Sequence, residues 1–260
     1  MNGYWNKILR VDLSQGTVKD DAVDEVVCKK FIGGAGLGSK LLYDEVNPGI
    51  RALSPENEIV FSTGPFQSTK LPGSAKWCVV SKSPLTGTYA DSHCGANWGV
   101  EFKSTGYDAL IVQGKADKPV YIWVHDDEAE IRDATDFWGL DTYETVDALK
   151  KDVNEPRASV ATIGPAGERL VRIACIAVDK HSFAGRCGIG AVMGSKNLKA
   201  VVVHGTKKPP LFDSDKVNAL SRELAGRISK FAEEFRKHGT PSGLLSVSYT
   251  HLTLPTICSV

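Results

Sequence analysis

Residues 159–204 read SVATIGPAGERLVRIACIAVDKHSFAGRCGIGAVMGSKNLKAVVVH, and this stretch decides the fold class. Apolar, β-branched runs predict strands at Ser159–Gly164, Leu170–Asp179 and Ala200–His204. Between the last two lies His181–Asn197, which carries four glycines within Gly185–Gly194. No long helical period separates these strands, so a regular βαβ repeat is excluded and an α+β fold is expected. The same texture runs back towards the N-terminus. Trp5–Leu13 and Thr17–Val23 flank the turn Ser14-Gln15-Gly16 and predict a hairpin. Asp24 caps a short helix ending at Phe31, Gly33–Gly36 breaks it, and a second helix near Leu37–Glu45 stops before Pro48. Strands follow at Glu58–Thr63, Trp77–Lys82, Thr88–Ser92, Ala109–Gly114, Val120–His125 and Glu130–Asp133, with a helix at Ala96–Thr105. Asp141 and Glu144 have capping-box spacing and open a helix over Thr142–Val153.

Two stretches echo one another: Ile59–Thr63 enters Gly64-Pro65, and Ser159–Ile163 enters Gly164-Pro165, each followed by a loop and a strand. A duplicated half and a chance repeat of common pieces are both open readings. From Pro209 the character changes. Val217–His238 predicts a charged amphipathic helix with Leu220, Leu224, Ile228 and Phe231 on one stripe, and a domain boundary falls near Leu211. This gives a first domain of residues 1–210 and the start of a helical second domain at 211–246. Val247–Leu252 matches the translation of a sequencing-library adapter, so 247–260 is expected to be a non-native tail. A genuine β-prone tail is the other reading.

With 260 residues, 42% of them hydrophobic, the chain can bury a sizeable core. Lys and Arg number 31, Asp and Glu 31, a balance that argues against a nucleic-acid binder. No apolar run of about 18 residues predicts a membrane span, and the start lacks a secretory apolar region. Six scattered cysteines without a CxxC pair argue against a disulfide framework or a zinc or iron–sulfur site, and a cytoplasmic protein with reduced thiols is expected.

Three glycine patterns invite a phosphate reading. Gly34-x-Gly36-x-Gly38 follows a helix instead of a strand, so tight helix–helix turning accounts for it better than a dinucleotide loop. Gly190 to Lys196 has the wrong spacing for a P-loop. The run around Arg186 leaves two readings open. Its glycines bring main chain to an anion, with Arg186 as a planar donor, or they let strands cross tightly, with Arg186 paired to a carboxylate. A second small-residue loop, Asp91–Gly99, leads into a helix. His93 there reads as a metal ligand or base, or as a hydrogen-bonded surface histidine; Cys94 and Cys187 read chiefly as packing residues. The two loops are expected to meet, with Lys76 nearby.

The chain resembles the N-terminal domain of tungsten aldehyde:ferredoxin oxidoreductases. The resemblance rests on Phe31-Ile32-Gly33-Gly34-x-Gly36-Leu37, Leu53-Ser54-Pro55-Glu56-Asn57, Thr63-Gly64-Pro65, Ser83-Pro84-Leu85-Thr86-Gly87, Gly106-Tyr107-Asp108-Ala109, Ile163 through Glu168 and Ala184 through Ala200, in that order. It covers about Tyr4–Thr206, with Lys237-His238-Gly239-Thr240 similar to an early piece of the next domain. It implies two β-sheets with short helices forming a base beneath a bis-molybdopterin that holds tungsten, with Mg²⁺ bridging the pterin phosphates. It implies that Gly95, Ala184, Gly185 and Arg186 line the pterins and that His93 and Phe183 offer main-chain carbonyls to Mg²⁺, which demands oxygen. Lys76 stands where a phosphate-pairing Arg often occurs, and Ser182 where an Arg can occur, which weakens both contacts. It implies oxidation of an aldehyde to a carboxylic acid with ferredoxin as electron acceptor, and a possible homodimer. The 4Fe–4S cysteines and acid–base residues are expected downstream of this chain, so no catalytic residue is assigned and the fragment alone is expected to be inactive. Low-potential aromatic-acyl reduction and a non-catalytic pterin-binding module are the alternatives.

Overall fold

The computed structural model describes residues 1–243, so the expected tail at 247–260 lies outside the described residues. The first compact unit is Met1–Thr69 with Gly73–Phe212. Its elements are β1 (Lys7–Asp12), β2 (Thr17–Ala22), α1 (Glu25–Phe31), α2 (Gly34–Glu45), β3 (Ile59–Ser62), β4 (Trp77–Lys82), β5 (Tyr89–Cys94), α3 (Trp98–Ser104), β6 (Ala109–Gln113), β7 (Val120–His125), β8 (Glu128–Asp133), α4 (Thr142–Asp152), β9 (Ser159–Thr162), α5 (Pro165–Glu168), β10 (Ile176–Val178), β11 (Ser182–Ala184), α6 (Ile189–Ser195) and β12 (Leu198–His204). The second unit joins Lys70–Pro72 to the chain from Asp213 onward and contains α7 (Ser214–Phe231) and α8 (Glu233–His238).

The strands form two six-stranded mixed sheets, ordered β2-β1-β6-β3-β4-β5 and β11-β10-β9-β12-β7-β8. The α+β reading therefore holds. The second order is the first read backwards, each strand replaced by the one six places later. The directions repeat too: β1 is antiparallel to β2 and parallel to β6, as β7 is to β8 and β12. Likewise β3 is antiparallel to β6 and β4, as β9 is to β12 and β10. The echo between Gly64-Pro65 and Gly164-Pro165 is thus a repeat of topology.

Side-chain alternation explains the layers, because successive residues of a strand face opposite sides of its sheet. Leu9, Ile59, Phe61, Trp77 and Val79 of the first sheet share one core with Ile122, Ala161, Ile176, Val201 and Val203 of the second. Helices α3 and α6 contribute Trp98, Phe102, Ile189, Val192 and Met193 to that core. The opposite face of the first sheet packs Val60, Cys78 and Val80 against Leu37, Leu41 and Leu42 of α2. The opposite face of the second packs Tyr121, Val160 and Val202 against Val146 and Leu149 of α4.

Three predicted elements differ from the sequence reading. The strand expected over Leu170–Asp179 is only Ile176–Val178. Before it the chain turns, with Val171 N–H donating to Ala166 O at 2.9 Å and Ala174 N–H to Val171 O at 2.8 Å. The glycine-rich run contains a helix, α6, which lies against that turn. A Cβ on Gly188, Gly190 or Gly194 would stand 1.8, 2.5 or 2.0 Å from the carbonyl oxygens of Arg172, Cys175 and Gly167 respectively. Those three glycines exist for backbone contact. The helix expected over Val217–His238 is two, α7 and α8, meeting at Ala232. The capping predictions hold: the Asp24 carboxylate accepts from Val26 N–H at 2.7 Å, and Asp141 and Glu144 form the full capping box. Gly34, Gly36 and Gly38 lie in the first turns of α2, where a Cβ on Gly38 would meet Val80 at 2.8 Å.

Among the described residues three lysines are fully buried: Lys103, Lys196 and Lys199. Lys103 pairs with Asp108, whose carboxylate also accepts from Trp5 N–H at 3.0 Å and Asn6 N–H at 2.7 Å, tying the chain start to β6. Lys196 donates to the carbonyls of Gly114 at 2.9 Å and Pro55 at 3.1 Å. Lys199 donates to Leu140 O at 3.0 Å and pairs with Glu168 at 2.5 Å. Burial pulls all three ammonium groups below the usual lysine range, opposed by their acidic neighbours.

Glu58 is buried at 5% exposure, and its Oε2 has no partner. Burial pushes its carboxyl up to about 7; Glu45 adds to the shift, while Arg10 and Lys196 oppose it. A carboxyl raised in the folded state favours folding fully below its unfolded value near 4.5, and that contribution is lost as pH rises through 7. Glu58→Gln is therefore expected to be more stable than the parent at pH 8 by about 2–3 kcal/mol, with the gap closing towards pH 4.5. Urea midpoints at the two pH values test this; a gap that does not change with pH would refute the assignment.

Candidate functional site

The edge strands of the two sheets meet. β5 closes one sheet and β11 the other, and Arg186 N–H, just beyond β11, donates to Ser92 Oγ of β5 at 3.1 Å. Cys187 is held from both sides. Its carbonyl accepts from Ser83 Oγ at 2.8 Å, and its thiol lies 3.9 Å from Asp91 O. Ser83 Oγ also accepts from Leu85 and Thr86 N–H at 3.1 Å, so the Ser83–Gly87 turn clamps the loop. The two loops expected to meet do so.

The topological repeat places the candidate residues in matching positions. His93 is opposite Cys78, the second residue of β4; Phe183 is opposite Ala177, the second residue of β10. Cys94 is opposite Trp77 and Ala184 opposite Ile176, the first residues of those strands. Gly95 and Gly185 then leave the two strand ends. A Cβ on Gly95 would meet nothing within 4 Å, and one on Gly185 only Phe183 Cβ at 4.0 Å. Each loop reaches its helix through a left-handed residue, Ala96 at φ 62° in the first and Cys187 at φ 64° in the second. Trp77 Nε1 pins Gly95 O at 3.1 Å.

Side-chain roles separate on burial. Ala184 is fully buried in the shared core. Phe183 is 50% exposed and Ser182 half-buried. Arg186 and Lys76 are exposed, and neither side chain pairs with a carboxylate among the described residues. The carboxylate pairing read as one alternative for Arg186 is not seen among the described residues. Lys76 immediately precedes the Trp77–Cys94 pair, at the same sheet end as Gly95. The side chain of His93 turns to Asp91, Nε2 to Oδ2 at 3.0 Å. Cys94 packs in the core, and burial pushes its thiol up to about 11, in keeping with a packing role. Ser92 and Ser83, the residues that fasten one loop to the other, escaped the sequence reading; only the Ser83–Gly87 motif signalled the second.

This is a shelf of open main chain at two edge strands, flanked by two cations that pair with no carboxylate among the described residues. Edge strands leave alternate peptide groups without a ladder partner. Such a surface suits a broad, flat, anionic ligand: glycine lets it approach closely, cations answer phosphate, and main-chain oxygens suit a hard divalent ion. The residues present fit a pterin cofactor bearing phosphates.

A family described as aldehyde ferredoxin oxidoreductase, N-terminal domain, matches residues 8–205. Tungsten-containing aldehyde ferredoxin oxidoreductase of Pyrococcus abyssi is 46% identical over 230 residues, which is 88% of this chain and 38% of that protein. The protein of the same description from Pyrococcus furiosus is 45% identical over 228 residues, with the same coverage. An aliphatic sulfonate oxidoreductase, WOR-like subunit, of Pyrococcus furiosus is 38% identical over 98% of this chain and 43% of its own length. Among solved structures, the active site complex BamBC of benzoyl coenzyme A reductase with 1,5-dienoyl-CoA superposes with a TM-score of 0.86 at 39% identity, covering 90% of this chain and 35% of that one. The chain spans about two fifths of the length of the curated relatives it matches.

The Ser92–Arg186 bond predicts a local effect. Ser92→Ala is expected to lower stability by about 1 kcal/mol and to speed amide exchange over residues 185–188 more than elsewhere. Exchange rates by NMR or mass spectrometry check it; unchanged protection at 185–188 would remove the fastening role.

Proposed function

This chain belongs to the aldehyde ferredoxin oxidoreductase family, and from that premise we propose that the shelf between β5 and β11 holds a tungsten bis-pterin cofactor. In this reading residues 1–210 are the cofactor domain and 211–246 open a helical second domain. The whole enzyme oxidises aldehydes to carboxylic acids and passes electrons to ferredoxin. One observation carries the assignment: Gly95 and Gly185 leave open space at matching ends of two adjoining edge strands, with Lys76 and Arg186 unpaired beside them.

Arg186 provides a planar donor fork and Lys76 a point charge for the two pterin phosphates. Gly95, Ala184 and Gly185 offer main chain to the rings, and Ser182 a hydroxyl in place of a further cation. The carbonyls of His93 and Phe183 are the proposed oxygen donors to Mg²⁺ between the phosphates. When bound, the cofactor supplies the redox chemistry; this chain supplies binding, orientation and charge. No acid–base residue or iron–sulfur ligand is assigned within it. The 4Fe–4S cluster, the aldehyde channel and any homodimer contact belong, in this reading, to the remaining length of the enzyme.

The likeness to the benzoyl coenzyme A reductase complex favours one second reading, low-potential reduction of an aromatic acyl thioester. Viologen-linked assays of a full-length enzyme with aldehydes and with aromatic acyl thioesters distinguish the two.

Supplied anaerobically with tungstopterin, the 260-residue chain is expected to retain cofactor yet turn over no aldehyde. Arg186→Ala should weaken retention by roughly ten- to a hundredfold, corresponding to about 1.5–3 kcal/mol for a charged hydrogen bond, with little change in thermal midpoint. Tungsten and pterin analysis of the purified variant checks this. Unchanged content would refute the phosphate role, and robust turnover by the chain alone would refute the division of labour.

A further inference from the structure

The face of the first sheet that packs on α2 carries three donors that the cofactor shelf does not use. Cys78 lies on β4, with Asp91 and His93 on the neighbouring β5. The register sets Cys78 opposite His93 and Val80 opposite Asp91, so all three side chains leave the same face. Cys78 and Val80 belong to the apolar cluster beneath α2, and Tyr89, two residues before Asp91, reaches Ser39 of α2 at 2.7 Å. The Cys78 thiol, an Asp91 carboxylate oxygen and a His93 ring nitrogen all lie within 4.8 Å of one another.

Two features separate this group from chance crowding. First, one atom, His93 Nε2, faces both partners, at 3.0 Å from Asp91 Oδ2 and 4.0 Å from Cys78 Sγ. A nucleophilic relay of Cys, His and Asp works through opposite ring nitrogens, one facing the thiol and the other the carboxylate. Here the three groups converge on one point, as ligands around an ion do. Second, burial is graded across the group. Cys78 is fully buried, while the His93 and Asp91 side chains are 52% and 37% exposed. One ligand is fixed in the fold and two are free to adjust, leaving a solvent side for a fourth ligand.

We propose that Cys78 Sγ, Asp91 Oδ2 and His93 Nε2 form a three-ligand site for a borderline-soft divalent ion of the Zn²⁺ type. The donor set selects the metal class. A thiolate disfavours Mg²⁺ and Ca²⁺, whereas sulfur, imidazole and carboxylate together suit Zn²⁺. Tetrahedral Zn²⁺ with bonds of about 2.0–2.3 Å needs ligand atoms roughly 3.3–3.5 Å apart. The His93–Asp91 separation must open by a few tenths of an ångström, the His93–Cys78 separation must close by about half an ångström, and the Cys78–Asp91 separation, within 4.8 Å, must close by up to about 1.3 Å, movements within the reach of two partly exposed side chains. On binding, the Cys78 S–H gives its proton to solvent and the thiolate bonds the ion, with no change of oxidation state. The site is independent of the cofactor reading, because it uses side chains that stand off the sheet whereas the proposed Mg²⁺ donors are carbonyls in its plane.

Cobalt is the probe, because Co²⁺ reports both thiolate ligation and tetrahedral geometry by absorption. Titrated into the 260-residue protein under a non-thiol reductant, Co²⁺ is expected to give one equivalent of binding with a cysteinate charge-transfer band, displaced by Zn²⁺. Cys78→Ser should abolish the band, while Cys187→Ser should leave it intact. His93→Gln and Asp91→Asn should each weaken binding by about tenfold or more. Circular dichroism establishes that each variant is folded; should Cys78→Ser fail to fold, the His93 and Asp91 variants at the exposed positions decide. A band that is absent from the parent protein, that survives in folded Cys78→Ser, or that is indifferent to His93→Gln and Asp91→Asn overturns the site.

Discussion

The contact between α6 and the turn over residues 165–175 governs where everything else can stand. It is a contact of backbone with backbone, in which the N-cap Gly188 and two glycines of α6, Gly190 and Gly194, lie on three carbonyls of another segment and leave no room for a methyl group. Through it α6 sits between the two sheets, its Ile189, Val192 and Met193 filling the shared core. The loop that enters the helix, Gly185–Gly188, is thereby fixed against β5, and the adjoining strand ends acquire their common shelf. Any residue larger than glycine at 188 or 194 would push main chain against main chain, which no rotamer change relieves.

A second set of constraints works through charge. Lys196 and Lys199 reach segments distant in sequence, Lys103 a carboxylate five residues on, and each ammonium would be costly to bury without its partners. Lys196 binds the carbonyls after Leu53-Ser54 and at the end of β6; Lys199 binds Glu168 beside α5; Lys103 binds Asp108 beneath the chain start. Their use here is architectural: they fix loop positions and face no ligand surface.

The sequence made the β-rich class, the first hairpin, both helix caps and the repeated strand-Gly-Pro unit legible, because each depends on local chemistry. It misled at Leu170–Asp179, where Val171 and Ile173 look like strand residues yet stand exposed in a turn that serves α6. It could not separate packing glycines from ligand-facing ones within one run. Gly188, Gly190 and Gly194 meet carbonyls, while Gly185 faces open space, and only the partner segment, far away in sequence, decides which is which. The same limit hid Ser92 and Ser83. Serines are common, and a serine that fastens two edge strands carries no sign of it in its neighbours.

The topological repeat has a consequence for how the chain reaches this state. Each half builds a six-stranded sheet whose inner face is covered only by the other half and by the helices between them. While the first half leaves the ribosome, Phe61 and Trp77 can meet only Trp98 of α3, and the rest of that inner face waits for β9, α6 and β12. The parallel pairings of β1 with β6 and β7 with β12 add long loop closures on each side. Such a topology makes folding slow and keeps apolar sheet exposed on the way. Because the two sheets share one core, each half completes its inner face only against the other, and cooperativity between the halves is built into the architecture itself.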